Sequence, residues 1–215
     1  LEMHMDMSGG AAVIWSVVLA AKLGLKKNVI GRIPAVENMP SGSSYRPGDV
    51  LKSLSGKTIE ILNTDAEGRV ILADALTYAK RFKPRLVVDV ATLNGASLIA
   101  LGQQASAIMT RDQHLETLFR ELGEESGDYV WPFPLWDEYE DLVKGNFGDV
   151  PNIPTSNSRY AGVIGGGMFL YQFAKEYPWV HIDMASRMTA ATGENLSKGA
   201  AGAPVRLLVK LIERF

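Results

Sequence analysis

Apolar runs alternate with polar, glycine- and proline-rich breaks along the chain, and the spacing within each run separates helices from strands. Residues 11–21 are almost continuously apolar and stop at Leu23-Gly24, which predicts a buried helix opened by Gly9-Gly10. Residues 28–35 carry Val29, Ile30 and Ile33 and predict a strand buried on both faces. Residues 36–48 are rich in Pro, Ser and Gly and read as a loop. Residues 50–54 and 58–62, around Ser55-Gly56, predict a hairpin. Leu72, Ala75, Leu76 and Ala79 recur at helical spacing within 70–82, and Lys83-Pro84 ends that helix.

Further on, residues 86–90 form a short apolar run that suits a central, parallel strand. Residues 105–109 predict another strand. Asp112 is placed to cap a helix carrying Leu115, Leu118, Phe119 and Leu122. Two prolines make 131–135 irregular, and 144–162 reads as a long irregular stretch, a class of loop that is often functional. Gly165-Gly166-Gly167 precedes a helix over 168–177, and 179–184 is the last strand. Pro204 suits a first helical position, with Leu207, Leu208, Leu211 and Ile212 facing inward. Strands alternating with helices predict an α/β chain, three-layer α/β/α, with helices on both sides of a central, mostly parallel mixed sheet.

Composition narrows the function classes. The 215 residues predict one domain with a substantial core. A net charge of −2 gives no field that calls for nucleic acid or an anionic membrane. With no cysteine there is no disulfide, thiolate metal site or thiol nucleophile, which fits a cytoplasmic location. The most apolar run, 11–21, is short of the ~20 residues that cross a bilayer. His4, His114 and His181 lack metal-ligand spacing, and His181 reads as structural. Gly56-Lys57-Thr58 lacks the first glycine of a phosphate loop, and no Gly-x-Ser-x-Gly is present.

The chemistry concentrates in Asn63-Thr64-Asp65-Ala66-Glu67-Gly68-Arg69, between the hairpin and the following helix. If this stretch is extended, Asp65 and Glu67 project to one side with Arg69 continuing the row. Paired carboxylates repel unless a proton or cation sits between them, and hard divalent metals favour carboxylate oxygens. A helix start is the other reading, with Thr64 as N-cap and Glu67 three residues on. A strand–turn–helix corner is also where open α/β sheets bind ligands. The end of the 86–90 strand, at Thr92 to Ala96, is a second such corner. Asp6 has its own bland reading, as cap of the first helix.

The stretch 63–69 resembles the signature of the leucyl aminopeptidase (cytosol aminopeptidase) family. Around it, in order, Met5-Asp6-Met7-Ser8-Gly9-Gly10, Glu37-Asn38-Met39-Pro40-Ser41-Gly42, Arg46-Pro47-Gly48-Asp49-Val50 and Ala91-Thr92-Leu93-Asn94-Gly95-Ala96 resemble further segments of the same family. The resemblance covers nearly the whole chain and implies a metallo-aminopeptidase catalytic domain over 1–215. That domain is incomplete at its N-terminus and is without the family's separate N-terminal domain.

The resemblance implies two divalent ions, zinc or manganese with magnesium or cobalt as substitutes, that activate water against the peptide bond. By position, Asp65 and Asp6 each ligate a metal and Glu67 bridges both. Arg69 matches the arginine that holds a bicarbonate, whose planar fork suits a small oxyanion. Met3, Thr92, Gly95, Ala185 and Met188 match the apolar pocket for the substrate side chain, and Leu93 a backbone contact to the substrate. Plain core packing is the other reading of these positions. The family's remaining ligands, a lysine and an aspartate, and a second lysine come from a segment before Asp6, which only five residues precede here. The implied partners are peptide substrates and copies of the chain in a homo-oligomer, a hexamer by analogy. A non-catalytic binding or assembly subunit on the same fold is the alternative.

Overall fold

The computed structural model describes residues 3–155 and 160–215, so the expected loop over 144–162 lies partly outside the described residues. In chain order the helices and strands are α1 (Ser8–Lys22), β1 (Val50–Lys52), β2 (Thr58–Glu60), α2 (Glu67–Ala79), β3 (Val87–Ala91), α3 (Ala96–Leu101), β4 (Ser106–Met109), α4 (Gln113–Ser126), β5 (Val130–Pro132), β6 (Val150–Pro151), α5 (Gly162–Ala174), β7 (Trp179–Asp183) and α6 (Val205–Arg214). Mixed sheets of parallel and antiparallel strands are flanked by helices, as a three-layer α/β/α fold requires. The chain divides into two compact units. One comprises Leu1–Ile33, Val88–Pro134 and Val180–Phe215, the other Pro34–Val87 and Leu135–Trp179.

The first unit is built on a sheet in the order β3-β7-β4-β5. Strand β4 runs parallel to β5, with Ser106 opposite Val130, and antiparallel to β7, with Ala107 opposite Asp183. Ala107, Ile108, Met109, Val180 and Ile182 are fully enclosed, so this β4–β7 pair is the centre of the unit's core. Helix α4 covers β5 and presents Leu115, Phe119 and Leu122 inward. Asp112 caps it, accepting from the N–H groups of His114 and Leu115. Helix α6 packs against both α4 and α1.

Helix α1 buries a stripe, Gly9, Ala12, Ser16 and Ala20, at helical spacing. A methyl group on Gly9 would lie 2.3 Å from the Val90 carbonyl oxygen, so the helix start touches the end of β3 as only glycine allows. The helical run Met3–Lys22 has the length and composition of a membrane span. Helix α1 packs on α6 along one side, while Met3, Met7, Ile14 and Trp15 of this run are exposed.

The second unit holds the sheet β1-β2-β6. Strands β1 and β2 form the expected hairpin, and β6 pairs parallel to β2 with Ile59 opposite Val150. Helices α2 and α5 pack together. The Glu60 carboxylate, nearly buried, accepts from the N–H groups of Asn146 and Phe147 and gathers the preceding loop onto β2.

Several sequence expectations need correction. Residues 28–35 form no strand, and Val29, Ile30 and Ile33 are exposed. Apolar content alone does not make a strand, and among the described residues this stretch pairs with no strand of either sheet. Strand β3 stands at the end of its sheet's order rather than in the middle. Residues 130–132 are a strand despite Pro132, because β5 is also at the end of the order, where a missing N–H is tolerated. The triple glycine lies inside α5, which starts at Gly162. Those glycines are buried, and the Pro154 ring comes within 3.0 Å of where a Gly165 methyl would stand. Close packing is their use. Pro204 occupies the N-cap of α6 and not its first turn.

Candidate functional site

In the second unit the acidic stretch forms a tight corner rather than an extended row. Residues Thr64–Ala66 make one turn of 3-10 helix, and α2 begins at once with Glu67. The cap is neither Thr64 nor any residue of α2. Asn63, with extended backbone, accepts from the Asp65 N–H at 2.9 Å through its side-chain oxygen. Asp65 is exposed, and Glu67 is half-buried at the helix N-terminus, where the aligned peptide dipoles favour its charge. Arg69, one turn in, is buried.

A residue that sequence reasoning passed over holds this corner. Asn152 follows β6 and is fully enclosed. Its Oδ1 accepts from the N–H groups of Leu62 at 2.8 Å and Asn63 at 3.3 Å. Its Nδ2 donates to the carbonyls of Asn63 at 2.6 Å and Ala66 at 3.4 Å. One amide thus satisfies the backbone on either side of the turn that bears Asp65. Its signal was Pro151-Asn152-Ile153-Pro154, a polar side chain between two prolines within a stretch read as plain loop. Tyr45 is a second omission. Its phenol is pushed above the usual tyrosine range, first by burial and then by the negative charge of Glu67.

In the first unit, Asp6 lies on the 3-10 helix Met3–Met7. It does not cap α1, whose N-cap is Met7 with no side-chain bond. Instead, the Thr92 hydroxyl meets it twice, at 2.5 Å from the carboxylate Oδ1 and 2.9 Å from the backbone carbonyl. One candidate metal ligand and one candidate pocket residue are therefore in direct contact. Met3, on the same short helix, is exposed.

The remaining pocket candidates occupy two neighbouring segments. Leu93 and Gly95 lie between β3 and α3, and an added methyl on Gly95 would meet open space. Ala185 and Met188 follow β7. Ala185 is buried and Met188 half-buried, and α3 packs on the turn Ala185–Arg187. The turn is fixed from beneath. Ser186 donates to the Ala105 carbonyl at 2.6 Å, and the buried Arg187 donates to the Gln103 carbonyl and pairs with Glu194 at 2.7 Å. His181, the expected structural histidine, is wholly buried with its Nδ1 2.5 Å from Asp89 Oδ1.

The donor set can be tested against a divalent ion. Asp65 and Glu67 offer hard carboxylate oxygens from one corner, the ligand type such ions prefer. Among the described residues no group of three or more acidic, histidine or cysteine side chains gathers. The corner thus offers two donors of that type.

A carboxylate-bearing strand–turn–helix corner is the kind of place where open α/β sheets bind ligands. The particular class comes from comparison with known proteins. The catalytic domain of the cytosol aminopeptidase family matches residues 1–209. A probable cytosol aminopeptidase of Azoarcus sp. is 50% identical over 211 residues, covering 98% of this chain and 41% of its own length. One from Syntrophotalea carbinolica is 51% identical over 215 residues (99% and 42%), and one from Geobacter sulfurreducens 47% over 213 (99% and 42%). The chain belongs to the cytosol aminopeptidase family, and spans about two fifths of the length of these relatives.

Proposed function

We propose that the polypeptide carrying this chain is a metal-dependent aminopeptidase of the leucyl type, cytoplasmic and acting on peptides. The observation that carries the reading is the corner Asn63–Arg69: two carboxylates and a buried guanidinium within five residues, braced by the Asn152 amide. Asp65 and Glu67 would hold divalent ions, zinc or manganese, at this corner, and the family resemblance adds Asp6 as a further ligand. A pair of such ions supplies activation of water and polarisation of a peptide carbonyl.

The chain's own residues do the rest. Arg69, two positions after Glu67, has the planar donor fork for a small oxyanion such as bicarbonate. Thr92 orients the Asp6 carboxylate through its hydroxyl. Thr92, Gly95, Ala185, Met188 and Met3 would receive the substrate's apolar side chain, and Leu93 its backbone. A methionine-bearing pocket adapts to leucine and methionine side chains.

A second reading, a non-catalytic binding or assembly subunit, draws on the absence of a three-donor cluster among the described residues. Hydrolysis of leucinamide by the full polypeptide, with Mn²⁺ or Zn²⁺ and after chelation, separates the two. The first reading expects metal-dependent release of leucine that Glu67→Ala abolishes. Activity retained in that variant refutes Glu67 as a ligand, and no activity with any ion favours the second.

A further inference from the structure

Asp183 ends β7 and has no part in the roles assigned above. It is fully enclosed, a costly location for a carboxylate. All of its hydrogen bonding falls on one oxygen. Oδ1 accepts from the Leu93 N–H and the Ala185 N–H, each at 3.1 Å, and the backbone N–H of Asn94 also bonds the carboxylate. The other oxygen, Oδ2, is buried and receives no hydrogen bond.

These three donors come from two separate stretches of chain. Leu93 and Asn94 lie between Thr92 and Gly95, and Ala185 begins the turn that leads to Met188. One carboxylate oxygen therefore ties together the two segments that carry four of the five candidate side-chain contacts. At the strand ends just before them, the Met184 N–H donates to the Ala91 carbonyl at 2.8 Å, and Asp183 carries the tie on into the two loops. Elsewhere the two segments are anchored separately, residues 92–95 to Asp6 and to the start of α3, and residues 185–188 to Ala105, Gln103, Glu194 and Ala201. A smaller neutral acceptor would bond one segment and leave the tie between the two loops, beyond the paired strand ends, unmade.

We infer that Asp183 is a specificity-positioning residue, which fixes the distance between the 92–95 and 185–188 segments and so sets how strongly the site discriminates substrate side chains by size. The inference rests on the aminopeptidase reading for its substrate, but not for its geometry. It touches neither substrate nor metal and acts through the backbone of Leu93 and Ala185.

The test uses the full polypeptide carrying Asp183→Ala, Asp183→Ser or Asp183→Asn, each with its melting temperature. Two readouts are taken: kcat and KM separately on the p-nitroanilides of leucine and alanine, and amide exchange of peptides spanning 92–95 and 185–188. Asp183→Asn keeps an acceptor oxygen in place and is expected to hold selectivity within about threefold of wild type. In Asp183→Ala and Asp183→Ser, the preference for leucine over alanine falls about tenfold or more, through KM for the leucine substrate, and both peptides lose protection together. Serine keeps the site polar and serves as the test should the alanine variant fail to fold. A folded alanine or serine variant with an unchanged leucine-to-alanine ratio overturns the inference, as does an equal fall of kcat on both substrates. If wild type cleaves neither substrate, the aminopeptidase reading fails. The exchange data then decide: unchanged protection at the two peptides overturns the inference, and joint loss upholds the tie.

Discussion

Replacing Asn152 by alanine removes a side chain that no solvent reaches and that makes four hydrogen bonds to the backbone of residues 62–66. Two of them are short, at 2.8 and 2.6 Å, and two are long, at 3.3 and 3.4 Å. A net hydrogen bond is worth about 1 kcal/mol, and a buried group left without its partner costs about 1–3 kcal/mol. Counting the two short bonds fully and the long ones lightly gives a loss of about 2–4 kcal/mol. In a protein of this size that lowers the melting temperature by roughly 5–15 °C. Urea denaturation of the variant against wild type measures the loss directly, read as a lower midpoint at constant slope. Asn152→Asp separates the two halves of the clamp. It keeps an acceptor for Leu62 but loses the donor to Asn63 and Ala66 and buries a charge, so it should be at least as damaging as alanine. A loss below about 0.5 kcal/mol in the alanine variant, within the range of ordinary surface changes, would refute the bracing role.

Two other outcomes follow from named contacts. Gly9→Ala drives a methyl to 2.3 Å from the Val90 carbonyl and 3.0 Å from the Ala91 Cα, both backbone atoms that cannot step aside. It should destabilise by about 2 kcal/mol or more in thermal melts, and a variant as stable as wild type would show that α1 is not seated on β3. Burial raises the Asp183 carboxyl above the ordinary carboxylate range, against the lowering pull of His181 and of the backbone bonds from Ala185, Asn94 and Leu93. The folded chain thus holds this proton longer than the unfolded one, and the associated stability is present at low pH and lost as pH rises from the ordinary carboxylate range to the raised value. Asp183→Asn should lack that decline, and parallel stability–pH curves for the two proteins would count against it.

Much of the architecture could be read from the spacing and length of the apolar runs. Helix α4 announced itself through Asp112 and the Leu115, Phe119, Leu122 stripe, and β7 and β4 through short apolar runs. The errors share a cause. Residues 28–35 had a strand's composition, but strand formation depends on a neighbour that no local pattern reports. The triple glycine was expected to precede its helix, yet it lies within α5, where the Pro154 ring packs against Gly165, a contact that helical spacing does not report. At the candidate site, Asp65, Glu67 and Arg69 stood out because three charges within five residues are chemically odd. Asn152 and Asp183 did not, since their value comes from which backbone groups they meet across more than eighty residues of sequence. Even the acidic motif was misjudged locally: Asn63 caps a 3-10 turn where an extended row or a Thr64 cap was expected.

The most direct measurement is calorimetric titration of the full polypeptide with Mn²⁺, comparing wild type with Asp65→Asn and Glu67→Gln. If the corner at the start of α2 holds divalent ions, wild type binds two per chain, Asp65→Asn binds at least one of them about tenfold or more weakly, and Glu67→Gln weakens both. Identical isotherms for all three proteins, with their folds intact, would contradict it.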